Sequence, residues 1–387
     1  MEKQTLIERV LRPTSQQTSF DASMGMRGWA ATAVFFAHFH DQAEKYLSPE
    51  TWTAKFAVYF EPLAHVAVNL FFIISAFLLY GALMRGKTPI LPFIYRRLRR
   101  IYPAFLAVFA IYVVLSYALP SQSKLPDGLW NQLQYITANL ALLPGVFPIE
   151  PMMTVAWTLS YELAFYIFLP IFFTVTAIWN RSLGIRISML VGLFAAVHIF
   201  AGHHHIAAMF VVGMLIWEFW NITKDKTLPK GSGTLALISW FGFTWVYLFS
   251  VSGDLGVTLP ALVNQALLIL AFAPIIYCTM MPNNSATKIF AWRPVSYAGN
   301  LSYSFYLIHG LCIHAFFIVF TNVMGKAAWT SELFYWFLMA AALLAAFAGS
   351  VVLYVLVERP YSIDGVGFKK LFIRAKPSAS AKQATSV

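Results

Sequence analysis

Apolar runs recur along this chain from near its start to near its end, most of them close to the length that crosses a lipid bilayer. They lie at 65–84, 101–119, 154–178, 187–202, 204–220, 234–252, 259–280, 296–320 and 332–357, and about 20 such residues span a hydrocarbon core. A tenth segment, 24–43, has a shorter uninterrupted apolar stretch, Gly28 to His40. Backbone polar groups have no water to bond inside a bilayer, so a chain patterned this way folds into helices. The expected fold class is therefore an all-α membrane protein, a polytopic bundle of about ten transmembrane helices. Composition agrees: 59% of residues are hydrophobic and 11% charged, with mean hydropathy +0.67, where soluble domains carry roughly a quarter charged.

The positive charges give the bundle an orientation. With a cytoplasmic N-terminus and ten crossings, the inner segments hold 23 of the 27 Lys and Arg residues, and the outer loops hold Lys45, Lys55, Lys124 and Lys326. Such a split is what the positive-inside rule requires. It predicts a multi-pass protein of the cell (inner) membrane with both termini cytoplasmic: an N-terminal segment 1–23, an integral membrane domain 24–360 and a tail 361–387. The net charge of +11 then follows from topology, and no nucleic acid partner is expected. Cys278 and Cys312 both fall in apolar runs, so neither a disulfide framework nor a zinc ribbon is available. The polar N-terminus has no apolar h-region of a cleavable signal peptide, and the small, polar residues after Arg374 read as disordered.

Ionisable residues inside such segments are costly to hold and mark candidate sites. In the first segment Arg27 and His38 are eleven residues apart, which on a helix returns to nearly the same face about 16 Å further along. Arg96, Arg97, Arg99 and Arg100 cluster in FIYRRLRRIYP, residues 93–103. Their planar forks of donors suit phosphate oxygens, and anchoring to anionic lipid is the alternative reading. Glu162 lies deep in TVAWTLSYELAFYIFLP, residues 154–170, and His309 in the segment after Ser302, Tyr303, Ser304 and Tyr306. Counted along their helices, His38, Glu162 and His309 fall at similar depth, so one shared site is expected. The tract His203–His205 offers three adjacent imidazoles that regular structure cannot aim at one ion, so no metal site is expected. His40 falls on a different helical face from His38, and His65 reads as interfacial.

These elements in this order resemble the acyltransferase-3 family of membrane enzymes, which move acyl groups, usually acetyl, onto hydroxyls of sugars and other acceptors. The resemblance rests on MRGWAATAVFFAH (26–38), VNLFFIISAFLLY (68–80), FIYRRLRRIYP (93–103), AWTLSYELAFYIFLP (156–170), GNLSYSFYLIH (299–309) and VERP (357–360). It implies that Arg27 and His38 are required, that the arginines at 96, 97, 99 and 100 serve the acyl-CoA donor, and that Glu162 matches the glutamate of the fourth helix. Asn69 and Ala76 stand where the family commonly has Asp and Gly. On this resemblance the expected activity is acyl transfer, with acetyl-CoA as donor substrate, no permanently bound cofactor, and a cell-envelope glycan such as O-antigen, exopolysaccharide or a lipid-linked sugar as acceptor. His38 would act as base and Glu162 would orient its imidazole. His309, Tyr303 and Trp157 would line the acceptor side or support the site. The competing expectation is a transporter or flippase that uses intramembrane His and Glu as a proton relay.

Overall fold

The computed structural model describes residues 18–86, 89–257, 259–324 and 332–363. Ten long helices form the bundle: α1 Thr18–Ala43, α2 Phe60–Arg85, α3 Ile90–Ala118, α4 Ala156–Thr176, α5 Leu183–Phe200, α6 Ala208–Thr223, α7 Ser232–Ser252, α8 Ala261–Thr279, α9 Ser302–Met324 and α10 Glu332–Leu353. Among the described residues nine helices are long and apolar enough to cross a membrane, one for each of α2 to α10. The helix that falls short is α1, and its position explains why. It packs against α2, α9 and the short helix Arg293–Asn300, with Met26, Ala30, Phe35 and Phe39 fully buried. A helix surrounded by protein meets little lipid and tolerates Asp21, Arg27 and Asp41 in its sequence. The expected segments 1–23 and 361–387 lie largely outside the described residues. Where they are described, α1 begins at Thr18, earlier than position 24, and the chain continues as a π-helix, Tyr354–Ile363, beyond position 360.

Backbone contact holds α1 in place. A Cβ added at Gly28 would sit 2.7 Å from the backbone nitrogen of Gly299, and one at Gly299 would collide with the carbonyl of Met24. Small residues at both positions let two helices meet main chain to main chain. Gly299→Leu is therefore expected to cost about 1–3 kcal/mol of stability by forcing this joint apart, read as a lower midpoint in a thermal unfolding series in detergent.

Elsewhere, aromatic stacking and paired polar groups join the helices. Phe210 of α6 lies between Phe72 of α2 and Phe165 of α4, with ring centroids 4.4 and 4.2 Å away. Glu218, 1% exposed, accepts from Tyr80 Oη at 2.5 Å and from Arg186 Nη2 at 2.8 Å, tying α2 and α5 to α6. In α8, Pro274 has no N–H to offer the carbonyl of Leu270. Ser239 Oγ of α7 donates to it instead, at 2.9 Å, which meets the bilayer's demand that freed backbone groups find partners.

Candidate active site

Because α1 starts at Thr18, Arg27 lies about 14 Å into the helix and His38 about 30 Å, near its far end. The two residues serve different cavities. Arg27 lines a small one of about 30 Å³, with Phe71 of α2, Thr158 and Glu162 of α4, and Tyr303 and Tyr306 of α9. That is room for a water or two. The Arg27 guanidinium lies over the Phe71 ring, 5.8 Å from its centroid, and its Nε is buried without a hydrogen-bond partner. Glu162 accepts from Tyr166 Oη at 2.8 Å and feels the positive charges of Arg27, Arg100 and Arg97. Glu162 is thus brought to the Arg27 end and not to His38. The expected shared site fails because Glu162 sits level with Arg27, and His38 lies about 16 Å further along α1 in a different cavity.

His38 faces a second cavity, of about 290 Å³, shared with Asp41, Tyr112, Gln122, Lys124, Thr154 and His314. The carboxylate that meets the imidazole is Asp41, whose Oδ2 is 3.3 Å from His38 Nδ1. A carboxylate only accepts, so Nδ1 carries the hydrogen, and in the neutral ring Nε2 is then the nitrogen with the lone pair. His309 does come to His38, with ring centroids 5.3 Å apart. It is fully buried, and its Nδ1 donates to the carbonyl of Phe305 at 3.1 Å, which leaves Nε2 without a hydrogen-bond partner. The opposite walls of this cavity are set by Lys124 on Glu150 at 3.0 Å and His314 on Gln122 at 2.5 Å.

Tyr306 links the linings of the two cavities. Tyr306, one turn before His309, has its hydroxyl 2.8 Å from Thr158 Oγ1 and 3.3 Å from the carbonyl of Val155. Tyr306 and Thr158 line the smaller cavity, and Val155 the larger. Trp157 lines neither; it packs edge-on against Tyr161 and closely on Gly145, whose φ of +92° suits glycine.

The four arginines of α3 also divide. Arg96 is exposed, and Arg97 lies over the Phe93 ring at 5.6 Å with its Nε buried and unpartnered. Arg99 donates to the carbonyl of Ile363 at 3.4 Å. Arg100 is engaged internally: its Nη1 is 2.7 Å from Oε1 of Glu358, a fully buried residue of the π-helix. The other oxygen of Glu358 accepts from Ser304 N at 3.1 Å and Ser304 Oγ at 2.5 Å. Tyr303 Oη donates to the carbonyl of Ile101 at 2.7 Å, and its ring lies under Arg100 at 5.7 Å. α3, α9 and the C-terminal π-helix are thereby locked together beside the Arg27 cavity.

Sequence reasoning missed Asp41, Thr158 and Glu358. Asp41 had a readable signal, since residues three apart share a helical face. His40 points elsewhere, toward Tyr335 Oη at 3.3 Å. The histidine tract is dispersed: His204 bonds Tyr161 at 2.5 Å and His205 lines a separate cavity.

Comparison with known proteins identifies the family. The family described as an acyltransferase domain, acyltransferase-3, matches residues 20–355. The chain belongs to that family. It is an acyltransferase, a multi-pass membrane enzyme, and the transporter reading gives way to that membership. It is similar to the exopolysaccharide production protein ExoZ of Rhizobium meliloti, 26% identical over 303 residues, covering 76% of this chain and 88% of that protein. It is also similar to the acyltransferase MdmB of Streptomyces mycarofaciens, 31% identical over 178 residues, covering 43% of this chain and 44% of the relative. The O-acetyltransferase OatA of Staphylococcus aureus (strain NCTC 8325 / PS 47) is 27% identical over 281 residues, covering 63% and 45%. The chain thus spans less than half the length of the last two. No solved structure matches.

Proposed function

We propose that this enzyme carries an acyl group, acetyl in the simplest case, from cytoplasmic acyl-CoA to a hydroxyl of a cell-envelope glycan. The observation that carries the reading is the order of groups along the bundle: arginines of α3, then Arg27 and Glu162, then the Tyr306–Thr158 bond, then His38 on Asp41. The donor's phosphates would meet Arg96, Arg97 and Arg99, whose guanidinium groups are not committed to a buried carboxylate. Arg100, paired with Glu358, holds the wall. The pantetheine arm would run past Arg27, and displacing the Tyr306–Thr158 bond would admit the thioester to the His38 cavity.

There the acceptor hydroxyl enters from the opposite side. His38 Nε2 takes its proton as the oxygen attacks the thioester carbonyl. The carbon–sulfur bond then breaks, the new ester remains on the glycan, and the thiolate of CoA recovers the proton from the imidazolium. Asp41 holds the tautomer and stabilises the cation, as a carboxylate does behind histidine in other acyl transfers. Glu162 acts at the Arg27 end, where it balances the positive charge around the donor. The charge split between loops supports cytoplasmic termini in the inner membrane, and the name of the Rhizobium relative supports a polysaccharide acceptor.

The test is to supply labelled acetyl-CoA to membranes holding the chain and look for alkali-labile label in the envelope glycan fraction. Arg97→Ala is expected to raise the KM for acyl-CoA about tenfold or more, the loss of one charge-assisted phosphate contact, with kcat little changed. An unchanged KM would remove the arginines from the donor site.

A further inference from the structure

Helices α5, α6 and α8 enclose a second space that the transfer route does not use. At its polar end is a cavity of about 210 Å³ lined by His65 and Asn69 of α2, His205, Tyr247 of α7, and Asn264 and Gln265 of α8. Beyond it lies an apolar groove of about 540 Å³ between α5 and α8, walled by residues such as Phe194, Val212, Ile216, Ile269 and Ala273. It lies at the lipid-facing surface, where Val191 and Phe219 on its rim are 52% and 56% exposed.

The two spaces lie end to end along α6 and α8, and α5 walls the apolar one. Along α8 the lining residues Gln265, Ile269, Ala273 and Tyr277 follow one another at steps of four, a single helical stripe. Met209, Val212, Ile216 and Phe219, at steps of three and four, form a matching stripe along α6. On α5, Val191 and Phe194 lead to His198, whose Nε2 meets Oε1 of Gln265. From Gln265 to Tyr277 the stripe runs about 18 Å, close to the roughly 15 Å of one leaflet's hydrocarbon.

The chemistry of each end selects its occupant. The groove is apolar and laterally open, the setting for an acyl chain. At the polar end the side-chain oxygen of Asn264 is buried and has no hydrogen-bond partner, so it calls for a donor. Among the described residues no Lys, Arg, Asp or Glu lines the cavity, so a phosphate or carboxylate would enter without a fixed cation to balance it. We propose that this is a lipid-binding site for a lipid whose head group is uncharged and bears hydroxyls, such as a glycosyl diacylglycerol. The hydroxyls bond Asn264 and its neighbours, and one chain fills the α5–α8 groove.

The test uses the full-length protein purified in a detergent without a sugar head, mixed with monoglucosyl diacylglycerol or chain-matched phosphatidylglycerol and weighed intact by native mass spectrometry. The glucolipid should be retained about tenfold over phosphatidylglycerol, the worth of one well-placed hydrogen bond to a buried acceptor. Asn264→Leu should abolish that preference, and Ala273→Phe should reduce retention of both lipids by filling the groove. Equal retention of the two lipids by the unmodified protein overturns the head-group assignment, and unchanged adducts in Ala273→Phe overturn the groove. If neither variant folds, the head-group comparison on the unmodified protein still decides.

Discussion

His38→Ala is expected to lower acyl transfer by about 10²–10⁴-fold, the range a positioned general base contributes, while the protein stays folded in the membrane. The side chain faces a cavity and is 27% exposed, so its removal leaves no large void. Its hydrogen bond is to Asp41 on the same helix, so no cross-helix hydrogen bond is lost. Asp41→Asn should fall short of that loss, at about 10²-fold. The amide keeps the volume but can present either a donor or an acceptor to Nδ1 and no longer stabilises an imidazolium. The paired measurement is transfer rate alongside detergent size-exclusion elution. A His38→Ala protein with normal elution and normal rate would remove the base from the account.

Glu358→Ala should have the largest effect on stability. Its carboxylate is fully buried and serves Arg100 and the first turn of α9 together. Removing one partner of a buried ion pair leaves the other uncompensated, at about 3–5 kcal/mol. Arg100 is 30% exposed in its side chain and recovers some hydration, so about 3 kcal/mol is the expectation. Activity should fall with it, because α9 carries Tyr303, Tyr306 and His309. Glu358→Gln should recover part of the stability, since its amide oxygen still accepts from Ser304. The check is the thermal midpoint of the three proteins in one detergent. Equal midpoints would mean that the joint of α3, α9 and the π-helix is held by apolar packing alone.

Much of the bundle was legible in the sequence, because a lipid solvent leaves few choices. Run length set the helices α2 to α10, and Arg27 and His38 were visible because charges in apolar surroundings are rare. The failures have a common cause: periodicity along one helix carries no information on how neighbouring helices slide against it. Counting His38 up from an inner end at Arg27, and Glu162 down from an outer end of its own helix, set the two side by side, whereas Glu162 lines the Arg27 cavity instead. Arg100 read as one more phosphate ligand because its partner, Glu358, lies over 250 residues away in sequence. Tyr306 read as one hydroxyl among several because its role between two cavities depends on Thr158 from another helix. Asp41 was within reach of local reasoning, three residues from His38.

In the proposed mechanism the donor is loaded at the arginine face and the acyl group is delivered at His38 on the other side. Membrane vesicles of the two orientations, given labelled acetyl-CoA from outside, test it most directly. Inverted vesicles, which on the proposed topology present the arginines, should incorporate alkali-labile label into envelope glycan, and right-side-out vesicles should not. Equal labelling in both orientations, or labelling confined to right-side-out vesicles, would contradict the account.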